Sequence, residues 1–175
     1  MRWTEEVIVL SKQPLEWRIK ERENGLMEIK SSFRYDIARR GSNKKLEKEA
    51  SIAISGFMNG HGGILIVGVD PTGKVVGLSK DYSLVQNKND DGFERELRNS
   101  AEKYLKQNIA DVLVDVNFHP MEGQQICEVI VKPSSKPIVL YDGDKQEFYV
   151  RVGNSTKLYP PSQMIEYCQK RFKTS

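Results

Sequence analysis

The apolar run from Ile64 to Val69 restricts the fold of this chain more than any other feature of its sequence. Such a short run, rich in β-branched residues and bounded by turn residues, is typical of a β-strand that is buried on both faces. The run follows a glycine-rich segment, residues 59–63, which ends an amphipathic helix predicted over residues 44–58. Apolar residues recur in this helix at helical spacing, so one of its faces is predicted to be buried.

The other predicted elements mix helices and hairpins, with few alternating strand–helix units. They are a helix over residues 14–23, strands over 26–32 and 74–77, a helix over 91–107, strands over 112–118, 126–132, 138–141 and 147–152, and a helix over 162–172. A hairpin turn at Asn24-Gly25 is an alternative to the end of the first helix. We therefore predict one α+β domain over residues 14–175, a mixed β-sheet with flanking helices, preceded by a loosely attached N-terminal arm over residues 1–13.

Composition excludes several classes of protein. Of the 175 residues, 38% are hydrophobic and 29% are charged, as in a folded domain rather than a disordered segment. No apolar run approaches the roughly 20 residues of a membrane span, and acids near the N-terminus argue against a signal peptide. The two cysteines and two histidines do not form the clustered set that a zinc site needs. We expect a cytoplasmic protein with reduced cysteines and no membrane partner.

A local excess of positive charge lies between Lys30 and Lys48. The formal net charge of the whole chain is only +3, yet this stretch carries seven bases and two acids. A basic segment on a nearly neutral protein suits a polyanion such as nucleic acid, although a solvated helix start and loop would have the same composition. The residues of this segment that we predict to bind nucleic acid are Arg39, Arg40, Lys44 and Lys45.

The step Glu28-Ile29-Lys30 is the first candidate for chemistry. Alternate residues of a strand share a face, so the carboxylate and the ammonium would lie about 7 Å apart along it. Metal-dependent nucleases often use such a pair, in which the carboxylate holds a divalent cation and the lysine balances charge on the phosphate. An exposed salt pair on a sheet face is the alternative interpretation.

Two further acids could complete such a site. Glu23 precedes Glu28 by five residues, and both the helix end and the hairpin turn would bring the two carboxylates close together. Asp70 follows the buried strand, where functional residues are common, but an aspartate before proline also caps turns. Residues 68–74 imitate a phosphate-binding P-loop, but valine follows the lysine and no helix comes next, so we exclude an ATP site there.

Tyr149 and Arg151 share one face of a predicted strand that precedes a polar turn. Arginine on a phosphate and tyrosine on a base is a natural pairing for nucleic acid, whereas an amphipathic edge strand is the alternative interpretation. We therefore add both residues to the predicted nucleic-acid-binding set.

Four segments stand in a specific order and spacing: Glu23-x4-Glu28-Ile29-Lys30, residues 54–70, residues 73–77 and residues 148–156. Together they resemble the Schlafen AlbA-like domain over about residues 20 to 160. Domains of this family are often labelled DNA-binding or ATP-binding modules, and in Schlafen proteins the fold carries an endoribonuclease site for tRNA and rRNA. The resemblance implies Glu23, Glu28 and Asp70 as catalytic and metal-binding acids, Lys30 as a catalytic residue beside them, and Mg²⁺ or Mn²⁺ as the cofactor.

Two functional hypotheses follow from these observations. The first is a metal-dependent endoribonuclease that cleaves structured RNA such as tRNA or rRNA through the three carboxylates. The second is a non-catalytic module that binds RNA or DNA. Vertebrate Schlafen cores contain two such lobes and a zinc site, whereas this chain has one lobe and no zinc ligands. We therefore expect a homodimer, since one small lobe offers little concave surface for a tRNA-sized substrate.

Overall fold

Six α-helices and nine β-strands follow one another in mixed order over the residues that the structure describes, which are 2–21, 24–106 and 114–173. The structure is a computed structural model. The helices are α1 (Arg2–Lys12), α2 (Leu15–Glu21), α3 (Lys44–Asn59), α4 (Ser79–Tyr82), α5 (Asp90–Leu105) and α6 (Pro161–Arg171). The strands are β1 (Met27–Lys30), β2 (Tyr35–Asp36), β3 (Gly41–Ser42), β4 (Gly63–Val67), β5 (Val114–Met121), β6 (Gln124–Val131), β7 (Leu140–Asp142), β8 (Lys145–Val152) and β9 (Ser155–Tyr159).

The central sheet has the strand order β1-β4-β6-β5. Strand β4 runs parallel to β1 and antiparallel to β6, so the sheet is mixed, and the predicted α+β class with flanking helices is confirmed. All five residues of β4 are buried. This agrees with the expectation that the apolar run forms a strand covered on both faces.

Two apolar cores cover the two faces of the central sheet. On one face Phe57 and Leu97, from α3 and α5, pack with Leu65 of β4. On the other face Val7 and Ile19, from α1 and α2, belong to the core that surrounds alternate residues of β1 and β4. The segment expected to form a loosely attached arm thus includes α1, whose Val7 is buried.

A second antiparallel sheet, β7-β8-β9, packs against α3. Asn59, at the end of α3, is fully buried, donates to the carbonyls of Ile138 and Tyr149, and accepts from the backbone N–H of Ile138. The absence of a side chain at Gly56 lets α3 approach β9, because a Cβ there would lie 2.6 Å from Cγ2 of Thr156. The glycine-rich end of α3 therefore serves close packing.

Two local predictions need correction. The helix and the turn near Asn24 were alternatives, yet both are present: α2 covers Leu15–Glu21, and Asn24 and Met27 exchange backbone hydrogen bonds of 3.1 and 3.3 Å. The hairpin return predicted over residues 74–77 is present only as one antiparallel bridge between Val69 and Val75, so it does not extend to a strand. The chain curls there because the N–H groups of residues 76 and 77 both donate to the carbonyl of Gly68. Among the described helices, none has the length and apolarity to cross a membrane.

Candidate functional site

Glu28 and Lys30 lie side by side on one face of the edge strand β1. The alternate residues Met27 and Ile29 point into the core formed with α1 and α2, so Glu28 and Lys30 face the opposite side, towards α3. Oε1 of Glu28 lies 2.9 Å from Nζ of Lys30. The structure thus brings the two residues of the acid-x-lysine step into direct contact.

Arg151 of β8 is the second cationic partner of Glu28. Its Nη1 donates to Oε2 of Glu28 at 2.7 Å, and its Nη2 donates to the carbonyls of Asn24 and Met27, both at 2.8 Å. The side chain is only 4% exposed, and the guanidinium lies 5.1 Å from the centre of the Phe57 ring. Arg151 therefore fixes the turn before β1 and orients Glu28.

Tyr149 shares the face of Arg151 but packs against the larger core. Its hydroxyl donates to Glu147 at 3.2 Å, and burial is the main cause that raises the pKa of the phenol. Within this conformation Tyr149 and Arg151 serve packing and positioning, and their predicted contact with nucleic acid remains a prediction.

A groove runs along β1 and consists of two adjoining depressions that share Lys30 and Glu49. The first has a volume of about 220 Å³ and extends past Glu28 to the β8–β9 turn. The second has a volume of about 340 Å³ and extends to the β2–β3 hairpin and Pro71. Glu49 was not predicted as a site residue; its spacing of four residues from Lys45 on α3 looks like an ordinary surface ion pair.

The seven bases of the basic segment divide into two groups. Three are held in ion pairs within the fold: Lys30 with Glu28, Arg34 with Glu47 and Glu96, and Lys48 with Asp142 and Glu147. The other four are exposed, and they are the predicted nucleic-acid-binding residues Arg39, Arg40, Lys44 and Lys45. Two of these make only long ion pairs, 3.7 Å from Nε of Arg39 to Asp36 and 4.0 Å from Nζ of Lys45 to Glu49. The positive charge of the segment is therefore concentrated at the β2–β3 hairpin and the start of α3.

The hairpin that carries Arg39 and Arg40 is fixed by Asp36. This carboxylate accepts hydrogen bonds from the backbone N–H groups of Ala38 and Arg39 and from the side chain of Asn43. These bonds, with that from Arg39 first, lower the pKa of Asp36. The tip thus presents its two arginines from a defined backbone.

Lys44 and Lys45 occupy the first turn of α3. The side chain of Asn43 caps this helix by accepting from the N–H of Lys45 at 3.0 Å. Cations at a helix N-terminus are disfavoured by the helix dipole, which favours anions there. A bound anion would therefore offset the unfavourable placement of these two lysines. Within the protein, Nζ of Lys45 makes only a long contact of 4.0 Å with a carboxylate oxygen of Glu49.

Asp81 of α4 holds the segment that leads from β1 to the hairpin. It is only 1% exposed and accepts hydrogen bonds from the backbone N–H groups of Phe33, Arg34 and Tyr35 and from the hydroxyl of Ser32. No local motif marked this aspartate, because its partners are nearly fifty residues away.

The predicted cation site is not assembled by the described acids in this conformation. Each oxygen of Glu28 has a cationic partner. Oδ1 of Asp70 accepts from the N–H and hydroxyl of Thr72 and from the N–H of Lys74, and the hydroxyl contact is the first cause of its lowered pKa. Glu23 lies outside the described residues. Within the described ranges, no three acidic, histidine or cysteine side chains form a group able to hold a metal ion.

The fold and the groove define an α+β domain with a charged groove at its sheet edge. The sequence profile of the family described as Schlafen, AlbA_2 matches residues 23–160, and the chain belongs to that family. The resemblance that its motifs indicated is thereby confirmed. No curated protein matches the sequence significantly.

A solved structure shows the same fold. The crystal structure of the DIP2311 protein from Corynebacterium diphtheriae superposes with a TM-score of 0.63 at 18% sequence identity. The match covers 99% of this chain and 34% of that protein, so the chain spans about a third of its relative's length.

Proposed function

We propose that this domain binds nucleic acid, with the sugar–phosphate backbone following the groove along β1. The observation that carries the proposal is the sorting of the basic segment. The four bases outside the short ion pairs are exposed, and they lie next in sequence to the stretches that carry Ala38 and Leu46, two residues that line one end of this groove. Lys30 lies on the groove floor between its two halves. A nucleic-acid strand that contacts both the four exposed bases and Lys30 would place successive phosphates near the hairpin, the start of α3 and the middle of the groove.

Phosphate contacts explain why the charge is arranged in this way. When arginine and lysine side chains of a protein neutralise phosphates, the counterions condensed on the nucleic acid are released, and this release supplies much of the binding affinity. The Arg39 and Lys45 side chains are 76% and 79% exposed and make only long ion pairs, of 3.7 Å to Asp36 and 4.0 Å to Glu49, so they can reach a phosphate. Family membership supports the same class of ligand. Structured RNA such as tRNA or rRNA is the first ligand to test, and DNA is the second.

The proposal is tested by the affinity of labelled RNA for a variant in which Arg39, Arg40, Lys44 and Lys45 are replaced by Ala. We expect its affinity to fall at least tenfold at moderate salt, because about four phosphate contacts are lost. The matched control replaces Lys103, Lys132, Lys136 and Lys145, four exposed lysines elsewhere on the domain, with the same loss of charge. Equal weakening in both variants would indicate a diffuse charge effect and contradict a defined interface.

Metal-dependent RNA cleavage is the second candidate function. It is favoured by the contact between Glu28 and Lys30 within the groove, because this pair has the composition of a nuclease site. In this proposal Glu23, Glu28 and Asp70 would hold Mg²⁺ or Mn²⁺, and the cation would supply a polarised water and charge neutralisation at the phosphate. Glu28 would have to exchange Lys30 or Arg151 for the cation, and Asp70 would have to leave its turn.

The two candidates separate in one experiment. Purified protein is incubated with tRNA in Mn²⁺ or in EDTA, alongside the variants Glu28→Gln, Glu23→Gln and Asp70→Asn. Cleavage that requires Mn²⁺ and is lost in all three variants, while RNA binding persists, would support the nuclease. Binding without cleavage by the wild-type protein would leave the non-catalytic function.

Self-association belongs to the same proposal. A homodimer would present two such grooves, one from each lobe, to a large RNA. Helices α1 and α2 offer a face for such pairing, because Ile8, Val9 and Trp17 are 45%, 58% and 48% exposed. Light scattering at micromolar concentration should report twice the 20.0 kDa chain mass, and a purely monomeric species would contradict the dimer.

A further inference from the structure

We infer that the hairpin half of the groove is a binding site for one unpaired nucleobase of the bound strand. The inference rests on the proposed function, because the strand must first be held by its phosphates. It goes further by assigning a different role to each half of the groove. The half beside Glu28 and Arg151 is polar and would contact the sugar–phosphate backbone, whereas the hairpin half would receive a base.

The walls of the hairpin half suit a flat aromatic ring. Tyr35, Ile37, Leu46 and Pro71 line it, and the volume of about 340 Å³ falls within the range of small-ligand pockets, which begins near 300 Å³. Ile37 is 53% exposed at the hairpin tip, so its side chain is accessible to a ligand in this pocket. Aromatic and apolar side chains of this kind sandwich unstacked bases in RNA-binding proteins.

Polar groups stand where the edge of a base would need them. Lys30, Glu49, Asp36 and Ser31 also line this half of the groove. A base inserted between the apolar walls presents donors and acceptors at its edge, and a mixed set of acids, a hydroxyl and an ammonium can pair with them. Lys30 and Glu49 also line the neighbouring half, so the base would enter next to the phosphates that precede or follow it.

Basic residues are close in sequence to two of the residues that line the pocket. Ala38 and Leu46 line it, and each is a sequence neighbour of exposed bases: Arg39 and Arg40 follow Ala38, and Lys44 and Lys45 precede Leu46. Phosphates on both sides of the inserted nucleotide would therefore meet positive charge. This arrangement favours a nucleotide within a strand over a free base.

The pocket is formed before any ligand binds. Asp81 fixes the backbone N–H groups of Phe33, Arg34 and Tyr35, and Asp36 fixes those of Ala38 and Arg39. Because these two segments of the pocket lining are already held, little conformational entropy is lost when a ligand binds, which favours affinity. A base within a duplex must be unstacked and unpaired before it can enter. The pocket therefore predicts a preference for single strands, loops or bulges over continuous duplex.

The test uses a single-stranded RNA of about 12 nucleotides with one 2-aminopurine, and the duplex made from it. We expect the wild-type protein to bind the single strand about tenfold tighter and to change the 2-aminopurine fluorescence on binding. The variants Tyr35→Leu and Ile37→Ser keep the net charge. They should lose the fluorescence change and most of the preference, while duplex binding stays within twofold.

The control variant Ile165→Ser changes another exposed isoleucine, on α6, which does not line the groove, and should behave as wild type. Equal affinity for single strand and duplex, with unchanged fluorescence, would overturn the base pocket and leave the phosphate interface intact. Failure of the wild-type protein to bind either RNA would overturn the proposed function and, with it, this inference.

Discussion

Arg151 and Glu28, which are 123 residues apart in the chain, form a 2.7 Å ion pair that joins β8 to the edge strand β1. We predict that Arg151→Ala lowers the free energy of unfolding by about 3 kcal/mol, because Glu28 and the carbonyls of Asn24 and Met27 lose a buried partner. Arg151→Lys should recover only part of this loss, because lysine lacks the planar fork. Urea unfolding measures both variants, and an Arg151→Ala protein as stable as wild type would contradict the role of this pair.

A second prediction concerns Asp81, which organises the segment leading to the hairpin. In Asp81→Asn one acceptor oxygen becomes an NH₂ group that faces backbone N–H donors. We expect a loss of roughly 3 kcal/mol in stability, given that hydrogen bonds to charged groups contribute about 1.5–3 kcal/mol each. Hydrogen exchange should show the amides of Phe33, Arg34 and Tyr35 exchanging faster. Unchanged protection of these three amides would show that Asp81 does not hold them.

The close packing of Gly56 against Thr156 predicts that Gly56→Ala destabilises the fold, although this substitution usually stabilises a helix. Glycine to alanine inside a helix ordinarily stabilises it by about 1 kcal/mol. Here the new Cβ would lie 2.6 Å from Cγ2 of Thr156, so Gly56→Ala should instead destabilise by about 1–3 kcal/mol.

The control for this contact is Thr156→Ser, which removes Cγ2 and keeps the hydroxyl that accepts from Arg151 at 3.3 Å. In that background Gly56→Ala should have a much smaller effect on the free energy of unfolding. The same penalty in both backgrounds would mean that the clash is not with this methyl group.

Asp70 provides a prediction about pH. Its carboxylate is held by Thr72 and Lys74, which lowers its pKa below the ordinary value of 3.8. A carboxyl with a lowered pKa in the folded state stabilises the fold above that ordinary value, and the contribution is lost as pH falls through the lowered pKa. Asp70→Ala should therefore be less stable than wild type at pH 6, and the difference should shrink below pH 4. A difference that stays constant down to pH 3 would contradict this assignment.

Much of the fold could be predicted because its signals are local. The run from Ile64 to Val69 identified β4, and helical spacing identified α3 to within one residue. Strand β9 was missed because its sequence, Ser155–Tyr159, is mostly polar. It forms through its pairing with β8 and its contacts with α3, which a local pattern does not reveal. The short strands β2 and β3 were missed as well, since Asp36 and Asn43 organise that hairpin through side-chain bonds.

The site was only partly predictable for the same reason. The period of a strand placed Glu28 and Lys30 on one face, and composition singled out the four exposed bases. Nothing local indicated that Arg151 would turn towards Glu28, because that contact depends on how β8 packs beside β1. The turn around Asp70 was among the alternatives, since aspartate before proline is a turn signal.

The salt dependence of RNA binding tests the central claim most directly. For single-stranded RNA, the slope of log affinity against log salt changes by roughly 0.7 for each phosphate contact. Replacing Arg39, Arg40, Lys44 and Lys45 by Ala should make the slope shallower by about 3, whereas the lysine control described above should leave it within about 0.5 of wild type. A slope unchanged in the quadruple variant would contradict the account, because it would show that these four side chains contact no phosphate.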